Sequence, residues 1–87
     1  MESSTSSQLT LDQLKQGEQG IVQGVSAVNQ RLQQKLLAMG IVVGTLVEIT
    51  AVAPLGDPIQ IRALGSRLAL RLSEASQIAI CPQHDPA

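Results

Sequence analysis

Glycine and proline punctuate this chain so closely that no apolar segment in it is long enough to form a core by itself. Gly17, Gly20, Gly24, Gly40, Gly44, Gly56 and Gly65, with Pro54 and Pro58, leave room for short strands and for one helix. At 87 residues the chain makes one small domain with no space for a second core. Its short elements must therefore pool their apolar faces.

Residues 1–8 read as a disordered tail, because MESSTSSQ lacks the cationic start and apolar run of a signal peptide. Thr10 stands three residues before Gln13, a capping-box spacing, and predicts a helical turn from Leu11 to Gln16 that Gly17 stops. From Glu18 to Val25, the apolar Ile21, Val22 and Val25 are interrupted by Gly20 and Gly24, which predicts a strand that bends or bulges at its glycines. Asn29 predicts the cap of a helix running through Met39. Leu32, Leu36 and Met39 form its apolar stripe, Gln30, Arg31, Gln33, Gln34 and Lys35 face outward, and Gly40 ends it.

Thr45 to Ala53 holds Leu46, Val47, Ile49 and Val52 and predicts a second strand. Pro54, Gly56, Asp57 and Pro58 then form a turn with Leu55 at its tip. Ile59, Ile61 and Ala63 alternate with Gln60 and Arg62, and Leu68 and Leu70 alternate with Arg67, Ala69 and Arg71, so the two runs predict a hairpin about Gly65 and Ser66. Ser73 to Ser76 form a turn, Gln77 to Cys81 a last strand, and residues 82–87 a C-terminal tail. The domain, residues 9–81, is thus mainly β with one inserted helix. Strands this short are expected to curl into a small five-stranded barrel that hides their edges.

Composition removes several functions. The chain has no Phe, Trp or Tyr, so it has no aromatic platform for bases and no aromatic groove for a proline-rich peptide. A net charge of −1 leaves no cationic excess for a phosphate backbone, and nucleic acid is not an expected partner. Cys81 is the one cysteine, which fits a reducing cytoplasm better than a disulfide-stapled secreted domain. No stretch is apolar over the ~18 residues a membrane span needs, so direct membrane insertion is not expected.

The only histidine is His84, beyond the last predicted strand, so no Ser/His/Asp or Cys/His catalytic arrangement is legible and an enzyme is not expected. Gly17, Gly20 and Gly24 match no phosphate-binding fingerprint and read as turn and bulge glycines. Cys81 and His84 form a C-x-x-H pair, whose thiolate and imidazole suit zinc or another late transition metal; a metal-responsive or metal-carrying barrel is the alternative function this pair suggests. Two ligands do not close a site, and no metal site or cofactor is assigned. Arg71 and Glu74 read as a local ion pair at the last turn.

Several stretches stand in a telling order and spacing: Leu11 to Gly17 as L-x-x-L-x-x-G, Leu36 to Gly44 as the helix end followed by MGIVVG, Pro54 to Pro58 as PLGDP, and Leu68 to Arg71 as LALR, followed by Glu74, Ala75 and Ile78. Together they resemble the FeoA family of small proteins of bacterial ferrous iron transport. Val43 stands where such sequences often have proline, which loosens that turn. The resemblance implies an SH3-like barrel, a cytoplasmic location, and a non-enzymatic accessory role on the cytosolic part of a FeoB-type membrane transporter. The related SH3-like module of DtxR-type metal repressors is the rival, but no helix-turn-helix is present.

Two surfaces are expected to meet a partner: first the loop residues Leu55, Gly56 and Asp57, then Met39 and Ile41 at the helix end. Exposed apolar residues there also allow weak self-association. No intrinsic high-affinity site for ferrous iron is expected, because the acidic residues are scattered singly.

Overall fold

The computed structural model describes residues 9–83; the predicted 1–8 tail and His84 lie outside them. In chain order the elements are β1 (Leu9–Thr10), a 3-10 turn (Leu11–Gln13), β2 (Gln19–Val25), α1 (Gln30–Ala38), β3 (Leu46–Val52), β4 (Ile59–Ala63), β5 (Ser66–Leu70), α2 (Leu72–Ala75) and β6 (Ile78–Gln83). All strands join one antiparallel sheet in the order β1-β6-β2-β3-β4-β5.

The five-stranded barrel is corrected in two respects. A sixth strand exists, because Leu9 and Thr10 pair with Ile80 and Ala79. The sheet is also not closed, since β1 and β5 are its two ends and do not pair. The 3-10 turn takes the chain out of the sheet after two residues, so β1 is too short to reach further. The last strand runs on to Gln83. Pro82 and Gln83, expected in a tail, instead face Gly20 and Gln19.

The predicted turn over 11–16 shrinks to Leu11–Gln13, closed by the bond from Leu14 N–H to Leu11 O at 3.2 Å. The Gln13 side chain accepts from Thr10 N–H at 2.8 Å, and the Thr10 hydroxyl donates to Asp12. β2 bulges between Val22 and Gly24, at the second of its expected glycine positions. The helix follows the expected pattern: Asn29 Oδ1 accepts from Leu32 N–H at 3.0 Å, and Gly40 follows at φ +82°.

α2 stands where only a turn was expected, held by two carboxylates at its start. Glu74 accepts from Arg71 N–H and Asp57 from Leu72 N–H, each at 2.9 Å. The anticipated Arg71–Glu74 ion pair is therefore corrected. Glu74 takes the Arg71 backbone amide, and its charge faces Lys35 Nζ at 3.6 Å.

One aliphatic core receives Val22, Val47, Ile49, Ile59, Ile61, Leu70, Ile78 and Ile80 from the sheet. Leu32 and Leu36 seat α1 on it, with Met39 half-buried at the margin. Strands from both ends of the sheet feed this cluster, so the sheet curls around it although it does not close.

Candidate functional site

The 53–58 loop is fixed by two backbone bonds, Gly56 N–H to Ala53 O at 2.7 Å and Ala53 N–H to Pro58 O at 3.1 Å. At its tip Leu55 is 95% exposed. Gly56 supplies the positive φ of the turn. Asp57, expected to meet a partner, already spends one oxygen on Leu72 N–H. The loop thus presents one apolar side chain on a rigid frame.

The second surface lies at the end of α1. Ile41 is buried in the core and leaves little surface of its own, while Met39 is half-buried. Their neighbours Leu37, Val42 and Val43 are 61%, 50% and 66% exposed. They line a groove of about 290 Å³ with Leu36 and Ile41 at its base.

The turn that carries the two valines is held from both sides. Val42 N–H donates to Thr45 Oγ1 at 3.0 Å, Gly44 N–H to Val22 O at 2.8 Å, and Val22 N–H to Thr45 O at 2.9 Å. These bonds do the work expected of a proline at position 43. Leu37 escapes the helix periodicity because it sits off the Leu32/Leu36 stripe. The run Ile41-Val42-Val43 has no period that tells inside from outside.

A polar cleft of about 390 Å³ lies beside the loop, with Lys35, Asp57, Arg71 and Glu74 in its walls. Cys81 is exposed on β6, and its predicted partner His84 is outside the described residues. Among the described residues no three His, Cys, Asp or Glu side chains converge as metal ligands, and no helix is long and apolar enough to cross a membrane.

A family model described as the FeoA domain matches residues 9–82. The FeoA-like protein of Clostridium acetobutylicum is similar at 32% identity and a TM-score of 0.80, with 92% of each chain covered. FeoA of Stenotrophomonas maltophilia, solved with zinc, is 30% identical with a TM-score of 0.71, over 82% of this chain and 87% of that one. That protein is described as a prokaryotic SH3-domain protein and a candidate activating factor of bacterial ferrous iron transport. A manganese-dependent transcriptional repressor shares the fold alone, at 16% identity and a TM-score of 0.81, over 94% of this chain and 40% of that one. No curated protein sequence matches the chain.

Proposed function

The chain belongs to the FeoA domain family, and from that membership we propose that it is a non-enzymatic accessory protein of ferrous iron uptake. In this reading it binds the cytosolic part of a FeoB-type transporter and modulates transport. The observation that carries the docking role is the groove at the end of α1, where Leu37, Val42 and Val43 are held out on a bonded turn. Apolar side chains fixed in this way lose little freedom on binding.

Leu55 adds a single apolar contact and ranks second. The test is capture of the transporter's purified cytosolic domain by this protein, compared with Val43→Asp and Leu55→Asp variants shown by circular dichroism to be folded. Loss of capture with Val43→Asp supports the groove, and loss with Leu55→Asp alone transfers the contact to the loop. A wild-type chain that captures nothing sinks the reading.

A further inference from the structure

β5 is an end strand, hydrogen-bonded only to β4. The hairpin joins Ala63 to Ser66 through the two-residue turn Leu64–Gly65, which makes Ala63 and Ser66 a mutually bonded pair. Bonding alternates along such a ladder, so Ser66, Leu68 and Leu70 spend their N–H and C=O groups on β4. Those of Arg67 and Ala69 point to the open side. Among the described residues they find no other backbone partner, and both residues are exposed.

The charges beside this edge are arranged in a row. Glu48 on β3 stands opposite Arg62 on β4, which stands opposite Arg67 on β5. Arg62 Nη2 donates to Glu48 Oε1 at 2.8 Å, which turns its charge away from the edge. Arg67 is left with a cation on one flank and an empty strand position on the other. Among the described residues neither Arg67 nor Arg71 joins an ion pair. Like charges directly opposite are unfavourable in a sheet, and a carboxylate in the empty position offsets them.

On the inner face Leu68 is only half-buried, so an apolar residue opposite it gains cover. A second copy of this chain fits poorly. Symmetric pairing about Ala69 sets each Arg67 against the other copy's Arg71, and pairing about Leu68 sets it against Ala69, so neither register places a carboxylate beside Arg67.

We propose that the free edge of β5 receives an extended acidic segment of a partner protein as an added strand, with a carboxylate beside Arg67. Main-chain bonds to Arg67 and Ala69 supply the attachment and the arginine row selects the charge. The groove at the end of α1 is lined by no residue of β5, so this proposal is tested independently of the function proposed above.

The experiment uses the full chain, isotope-labelled for NMR, and two short blocked peptides, one alternating valine with glutamate and the other valine with lysine. The glutamate peptide is expected to shift residues 66–71, to protect the Arg67 and Ala69 amides from exchange, and to bind at least about tenfold more tightly than the lysine peptide. Ala69→Pro removes an N–H that the fold does not use, and is expected to stay folded and lose the peptide. Arg67→Glu, which then faces Arg62 favourably, is expected to reverse the preference and bind the lysine peptide. Equal binding of both peptides, shifts confined to another surface, or no binding up to about 1 mM overturns the proposal. An unfolded Ala69→Pro leaves the decision to the Arg67→Glu reversal, and its failure counts against the edge.

Discussion

Leu64 lies so close to Gly40 that a Cβ on the glycine would stand 3.2 Å from Leu64 Cδ1. Both residues have positive φ, +82° at Gly40 and +56° at Leu64, so the end of α1 and the turn of the β4–β5 hairpin meet at two left-handed residues. Gly40→Ala is expected to cost about 1–2 kcal/mol in urea unfolding, from the backbone and the contact together. Leu64→Asn, which creates the favoured Asn-Gly turn, is expected to raise stability by up to ~1 kcal/mol, because Leu64 is 62% exposed and gives up little burial.

Adjacent leucines on α1 separate core from surface. Leu36 is 1% exposed and Leu37 61%. Leu36→Ala is expected to destabilise by about 2–5 kcal/mol, and Leu37→Ala to stay within ~0.5 kcal/mol. Similar losses at both positions would contradict the placement of the helix.

Two glycines of β2 have opposite surroundings. A Cβ at Gly20 meets Ile80 Cδ1 at 3.0 Å and Leu14 Cδ1 at 3.3 Å, whereas nothing lies within 4 Å of one at Gly24. Gly20→Ala is expected to lower stability by about 1–3 kcal/mol. Gly24→Ala is expected to be neutral or to gain up to ~1 kcal/mol through the unfolded chain. Thermal melting of the pair distinguishes the two.

The carboxylates at the start of α2 act as backbone acceptors. Asp57→Ala is expected to cost about 0.5–2 kcal/mol, and Glu74→Ala a similar amount. Glu74→Gln keeps an acceptor and loses only the part-exposed pair with Lys35, so a change within about 0.5 kcal/mol is expected. A full loss with Glu74→Gln would assign the effect to charge.

Anaerobic titration with ferrous iron is expected to show no saturable submicromolar site, since no ligand trio forms among the described residues. Stoichiometric binding that survives Cys81→Ser and His84→Ala would contradict this. Binding abolished by those changes would assign the metal to the C-terminal pair.

The elements legible in the sequence are those whose signals are local. α1 has its cap at Asn29, its stripe at Leu32 and Leu36 and its stop at Gly40, all within one short segment. The hairpin has alternation on both sides of Gly65. β1 was hidden because its two residues become a strand only through Ile80 and Ala79. α2 was hidden because one of its caps, Asp57, comes from a separate loop. At the candidate site the exposure of Leu55 followed from turn chemistry. The outward setting of Val42 and Val43 depends on a turn closed by Thr45 and on the bond from Gly44 to Val22, which lies on a separate strand that no spacing rule connects to them.

Pairing Leu9 with Ile80 closes a loop that spans nearly all the described chain. Loop closure of that length is entropically the slowest contact to make, whereas the β4–β5 hairpin closes over a two-residue turn. Folding is therefore expected to start near Gly65 and to finish when β1 clasps β6. A clasp of two residue pairs is also expected to open early, which would make the Leu9 amide a sensitive reporter of partial unfolding.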